Sequence, residues 1–198
     1  FLKQLIAENT PKAQAETKAI EDYAKKQMGA DFKLQPYDRF YYSAKMKQEM
    51  LNISDDEVKP YFNIDSVIVN GVFYAAHRVY GLSFVERKDV PTYHPDMKVF
   101  EVRDKNGKML ALFYSDPYRR PTKRGGAWMS AFAKQSNLRK QLPIIYNVTN
   151  YAKAPEGQPT LITWDEVTTL FHEFGHALHG MLSNCYYNTL SGTAVARD

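Results

Sequence analysis

The 198-residue sequence holds one cysteine, Cys185, so no intrachain disulfide and no cysteine-rich zinc site can form. Any metal would have to be held by histidine and carboxylate. No apolar run approaches the roughly 20 residues of a membrane span, and Phe1 does not open the charged n-region of a secretory signal. Charge of one sign is also missing. Lys and Arg number 26 against 22 Asp and Glu, giving +4 with the signs interspersed, which leaves no electrostatic footprint for nucleic acid. The densest basic run, Arg119-Arg120-Pro121-Thr122-Lys123-Arg124, is short and leads into Gly125-Gly126. A solvated loop is expected there in preference to a polyanion-binding patch, although the paired glycines would also suit a mobile loop lining a channel. Without a basic stripe beside them, Tyr23, Tyr37, Phe40, Tyr41 and Tyr42 are expected as core or groove wall and not as a surface for stacking bases. Internal repeats and low-complexity tracts are absent. So is an initiator methionine, and the expectation is that the true N-terminus lies elsewhere.

What is present is a hydrophobic content of 44 %, enough for a core in a chain of this length. Residues 1–82 read as helical. Thr10-Pro11 has the form of an N-cap followed by proline at the first helical position, and the stretch to Met28 ends at Gly29. Pro36 is expected to open a second helix. Ser54 and Glu57 have capping-box spacing, with Pro60 keeping any helix there short. Ile64 to Tyr80 is apolar on nearly every side and predicts a mostly buried helix closed by Gly81.

Residues 83–162 change period. Alternation from Val99 to Asp104, then Asn106-Gly107, then the run from Met109 to Tyr114 predicts a hairpin. Leu142 to Val148 is a third candidate strand. The expectation is a small antiparallel sheet with loops beside the helices. Thr163 and Glu166 form another capping-box pattern, so a helix is predicted from about 164 to 182, with Val167, Leu170, Phe171, Phe174, Leu178 and Met181 as its packing surface.

That helix carries His172-Glu173-Phe174-Gly175-His176. Residues four apart on an α-helix share a face, so His172 and His176 can converge on one Zn²⁺ and leave positions for a third ligand and a water. Zinc lowers the pKa of a coordinated water toward roughly 7, and Glu173, about 100° around the helix, is placed to take its proton as general base. His179 lies about 10 Å along the axis from His172, too far for the three to share one ion, and reads as a hydrogen-bonding or packing residue. A third ligand must come from elsewhere: no Glu follows Glu173, Asp198 is terminal and prone to fray, and Cys185 reads first as a small buried hydrophobe. His77 and His94 lack ligand spacing and are expected in packing or local hydrogen bonds.

The stretch from Leu170 through the motif to His179 resembles the signature of the thimet oligopeptidase family of zinc metallopeptidases. The resemblance extends in order through Lys59-Pro60-Tyr61-Phe62, Gly81-Leu82, His94-Pro95-Asp96, Tyr114-Ser115-Asp116 and Lys123 to Trp128. Leu190-Ser191-Gly192-Thr193 through Arg197-Asp198 is similar to the family's dipeptidyl-carboxypeptidase branch. The resemblance implies a mainly α-helical, zincin-like α+β fold with the motif on a buried helix, His172 and His176 as ligands of one zinc, and Glu173 as catalytic base. It implies short peptides as substrates, release of C-terminal dipeptides, and a cytoplasmic location, with an exported form also open. The alternatives are internal cleavage within the same family or a non-catalytic helical module. The third ligand it implies, a glutamate, falls three positions beyond Asp198. The chain is therefore expected to be an internal fragment of a catalytic region, inactive by itself.

Overall fold

The computed structural model describes residues 1–196, apart from the side chain of Asp55. The expectations for Arg197 and Asp198 lie outside the described residues. The chain divides into two compact units, Phe1–Glu57 and the remainder from Val58 onward.

The first unit is built on α1 (Leu2–Met28) and α2 (Arg39–Leu51). Helix α1 does not start at Thr10-Pro11 as expected but runs through Pro11. The missing proline amide removes one helical bond, and the strong helix formers on either side carry the turn across the gap. Gly29 ends the helix with φ 108° and donates its N–H to Lys25 O at 2.9 Å. Helix α2 starts later than Pro36, because Asp38 Oδ2 accepts the Gln35 N–H at 3.0 Å and folds the intervening residues into a turn. Ile20, Ala24 and Tyr42 form a small core with Tyr23, Phe32, Leu34 and Met46 around it. Tyr37, Phe40 and Tyr41 are exposed, so of the two expected roles, core or groove wall, the core role does not hold for them. The capping box at Ser54 forms in both directions, Ser54 N–H to Glu57 Oε2 at 2.9 Å and Glu57 N–H to Ser54 Oγ at 3.3 Å. It starts the single turn α3 (Asp55–Val58), which passes into a 3-10 turn around Pro60.

The second unit begins with a continuous rod: α4 (Ile64–Ser66), a π-helical stretch (Val67–Phe73) and α5 (Tyr74–Tyr80). Asn63 caps it through Oδ1, and Gly81 closes it at φ 69°. Only one face is buried, through Ile64, Ile68, Val72, Phe73 and Ala76; Val69, Tyr74, Val79 and Tyr80 are exposed. The expected all-round burial is thus corrected to an amphipathic rod.

The sheet has five strands, β1 (Ser83–Glu86), β2 (Lys98–Arg103), β3 (Met109–Tyr118), β4 (Trp128–Ala133) and β5 (Ile144–Tyr151), in the order β1-β2-β3-β5-β4. The Asn106-Gly107 hairpin forms, with Asp104 Oδ1 accepting the amides of Asn106 and Lys108 and Gly107 at φ 78°. The sheet is larger than expected and mixed instead of antiparallel. After β3 the chain crosses to the edge as β4 and returns beside β3 as β5, so β3 and β5 pair in parallel from Leu112↔Ile144 to Asp116↔Val148. β4 escaped notice because Trp128 to Ala133 shows no alternation of apolar and polar residues.

Helix α6 (Trp164–Met181) starts at a complete Thr163/Glu166 capping box. It lays Val167, Leu170, Phe174, Ala177 and Met181 into the core it shares with the sheet and the α4–α5 rod. Phe174 meets the Phe113 ring edge-on at 5.3 Å. A Cβ at Gly180 would stand 2.8 Å from Ile145 Cδ1, so glycine there permits the close approach to β5. The opposite face, with Phe171, His172, Gly175, His176 and His179, is exposed in this chain, which makes the motif helix half-buried instead of buried. Among the described residues no helix is long and apolar enough to cross a membrane.

Within the basic run, Arg119, Pro121, Thr122 and Arg124 are exposed as expected of a solvated loop, whereas Arg120 and Lys123 turn inward. Asp116, 1 % exposed, receives both Arg120 guanidinium nitrogens at 2.7 Å and the Tyr93 hydroxyl at 2.9 Å. Lys123 Nζ donates to Asp116 Oδ1 and to the carbonyls of Asp116, Tyr118 and Thr149. Burial pushes the Asp116 carboxyl upward, but the hydrogen bonds from Arg120, Tyr93 and Lys123 together hold it below the usual range. An Asp116→Asn variant leaves two largely buried cations without a counter-charge and is expected to lose about 3 kcal/mol of stability at neutral pH in urea unfolding. Because the folded-state pKa is depressed, the wild-type contribution is present above the unfolded value near ~3.9 and is lost as pH falls through the folded value. The difference between the two proteins should therefore shrink in acid.

Candidate metal centre and its cavity

The rigid, capped α6 sets His172 and His176 one turn apart on its exposed face. Their Nε2 atoms stand 3.1 Å apart, with the rings nearly perpendicular at 85° and centroids 4.7 Å apart. Two nitrogens bound to one tetrahedral zinc at ~2.0–2.1 Å lie ~3.3 Å apart. The spacing of the pair is therefore compatible with two ligands of a single zinc.

Glu173 turns away from the histidines toward the sheet and is 8 % exposed. It lines an open cavity of about 450 Å³ together with His172, Thr168, Thr169 and Ala127. Beneath this segment, Tyr151 on β5 donates its hydroxyl to Glu166 O at 2.8 Å, tying the sheet to the first turn of α6. Burial pushes that phenol well above its ordinary range, and the nearby Glu166 and Glu173 charges add to the shift. Tyr151 therefore stays a neutral donor.

Among the described residues, no group of three or more His, Cys, Asp or Glu side chains assembles to hold a metal. His179 lines a separate cavity with Tyr80, Gly175, Leu178, Leu182 and Ser183. Cys185 is half-exposed, not a buried hydrophobe, and its thiol donates to Leu190 O at 3.2 Å. His77 Nδ1 bonds Leu82 O at 3.0 Å and His94 Nδ1 accepts the Asp96 N–H at 3.2 Å, both local contacts as expected.

Sequence reading missed Thr168 and Thr169, although they precede His172 and Glu173 by one helical turn and that spacing was available to find them. It noted the Gly125-Gly126 loop without placing it. The loop delivers Ala127 to the cavity and is fastened at both ends, by Lys123 and by Asn150, whose Nδ2 donates to Arg124 O at 2.8 Å and Gly126 O at 2.7 Å. Asn150 carries no motif that a single sequence could reveal.

The family model described as Peptidase family M3 matches residues 1–198. The chain is 45 % identical over its whole length to a dipeptidyl carboxypeptidase of Escherichia coli, covering 29 % of that protein. It is 47 % identical over 84 % of its length to the Salmonella typhimurium dipeptidyl carboxypeptidase, covering 25 % of it. Oligopeptidase A of Escherichia coli is 43 % identical over 97 % of the chain, with 28 % of the relative covered. The chain thus spans less than a third of the length of these relatives.

In the full-length protein, His172→Ala or His176→Ala is expected to weaken zinc by more than about 100-fold. Chelator competition with metal analysis measures this. Unchanged affinity in both variants would remove the pair from the metal.

Proposed function

The chain belongs to peptidase family M3, and we propose that the full-length protein is a zinc-dependent peptidase that releases C-terminal dipeptides from short peptides. The observation that carries this reading is the convergence of the His172 and His176 Nε2 atoms beside a cavity into which Glu173 faces. When held by the two histidines, zinc supplies a Lewis acid that activates water and polarises the scissile carbonyl.

The remaining steps belong to the chain. Glu173 accepts a proton from the attacking water and returns it to the departing amine, so the base of the first step is the acid of the second. The cavity wall at Ala127 leads directly into β4, which is the edge strand of the sheet. An unpaired edge is where an extended peptide can add as a further strand, held through its backbone. Backbone capture of this kind suits short peptides of varied sequence. Short peptides are accordingly the partners proposed.

Release of dipeptides is favoured by the sequence from Leu190-Ser191-Gly192-Thr193 through Arg197-Asp198, which is similar to the dipeptidyl-carboxypeptidase branch. Internal cleavage is the second reading, supported by the 43 % identity to oligopeptidase A. Because the described residues offer two ligands, the chain of residues 1–198 is expected to be inactive without the rest of the protein.

Glu173→Gln in the full-length enzyme should lower kcat on a short peptide by about 10³-fold while zinc content stays unchanged. Normal turnover would show that another group is the base. The two cleavage modes separate on a matched pair of peptides with free and amidated C-termini, analysed by mass spectrometry. Dipeptide release predicts that amidation stops cleavage, whereas equal cleavage of both peptides sinks it in favour of internal cutting.

A further inference from the structure

We infer that Asn150 is a positioning residue: by holding the Gly126 carbonyl, its side-chain amide turns the Ala127 N–H into the motif cavity as a donor for a substrate backbone carbonyl. The inference deepens the peptidase reading and rests on it.

Backbone pairing between β4 and β5 ends at Trp128↔Val148. Two residues further along β5, the Asn150 side chain takes over, with Nδ2 at 2.8 Å from Arg124 O and 2.7 Å from Gly126 O. Both partners are carbonyls, so only the amino end of the amide can serve them, and its orientation is settled. A trans peptide unit is planar, with C=O and N–H on opposite sides, and among the described residues no peptide bond is cis. Gly126 O and Ala127 N–H belong to the same unit. Drawing the carbonyl toward β5 therefore sends the N–H away from β5, to the open edge of the sheet. Ala127 stands there beside His172 and Glu173.

The hydroxyl donors on that wall are already committed. Thr168 and Thr169 both donate their hydroxyls to Asp165 O, at 2.8 and 2.9 Å. Nor would the Gly126–Ala127 peptide hold its direction unaided. Gly125 and Gly126 have wide conformational freedom, and Gly126 sits at φ 88°. Lys123 fixes the loop upstream of the glycines and Asn150 fixes it at them. A donor held in advance costs no reorganisation when the carbonyl arrives.

The test uses the full-length zinc enzyme carrying Asn150→Asp, which keeps the shape but presents acceptors to two carbonyls. Its kcat/KM on a short peptide should fall about 100-fold, the scale expected when a group at the reacting centre is misplaced, with zinc content unchanged. The discriminating readout is a series of peptide inhibitors in which one backbone carbonyl at a time is reduced to methylene. One such replacement should weaken binding to wild type yet cost nothing further in Asn150→Asp. A variant that weakens every inhibitor equally has a general structural defect and overturns the inference, as does a wild-type kcat/KM. Should Asn150→Asp fail to fold, Ala127→Pro removes the same N–H with Asn150 intact, and it must show the same insensitivity to the same replacement; a normal Ala127→Pro enzyme overturns the inference. Glu173→Gln is run alongside: if it is inactive while both variants behave as wild type, the peptidase reading stands and only the role of Asn150 falls.

Discussion

The packing of α6 across the β3–β5 pair, with Phe174 against Phe113 and Gly180 against Ile145, determines which side chains of the motif meet solvent and which meet the sheet. At Gly180 this face of the helix sits so close to Ile145 that an added Cβ would clash with it. His172 and His176 are thereby held outward and Glu173 inward, although the three lie within one and a half turns. The capping box at Thr163 and the Tyr151 hydroxyl on Glu166 O fix the beginning of the same helix. The separation of the two histidines from Glu173 is thus a consequence of amphipathic packing.

The two faces of the sheet do different work through the same strands. On the face away from α6, Asp116 gathers Arg120, Lys123 and Tyr93. Lys123 also reaches carbonyls on both β3 and β5, at Tyr118 and Thr149. A lysine with so little solvent is stable there only because each of its protons has an acceptor. Burial lowers its pKa while Asp116 opposes that shift. The result is a firm root for the crossover between β3 and β4, whose far end brings Ala127 to the edge beside α6.

Much of this was legible in the sequence wherever a local rule has a local cause. The capping boxes at Ser54 and Thr163, the Asn106-Gly107 turn and the glycines ending helices at Gly29 and Gly81 depend on neighbours a few residues away. The motif spacing likewise fixed the geometry of His172 and His176 relative to each other. What failed depends on distant residues. Parallel pairing of β3 with β5 follows from where β4 sits, and β4 itself lacks a period. The inward turn of Arg120 and Lys123 was not legible because their acceptor, Asp116, shares no recognisable pattern with them. Pro11 was read as a helix start because its local preference was weighed without the helix-forming residues before it. Half-burial of α6 and of the α4–α5 rod was missed for a related reason: a count of apolar residues does not say which of them find a partner.

Asn150 brings these strands of argument together. Had the β4–β5 ladder continued to residue 126, the chain would have had to stay extended there. Gly126 instead adopts φ 88°, which an extended strand does not allow, and the loop turns away toward Lys123. A side-chain amide can follow that turn because it carries two donors on a flexible arm, where a backbone amide offers one donor at a fixed position. The substitution of side chain for ladder lets the crossover bend back to its buried ionic root while the Gly126–Ala127 peptide keeps the orientation of a strand. The edge therefore retains a strand-like donor at the point where regular pairing has ended, beside the helix that holds His172, Glu173 and His176.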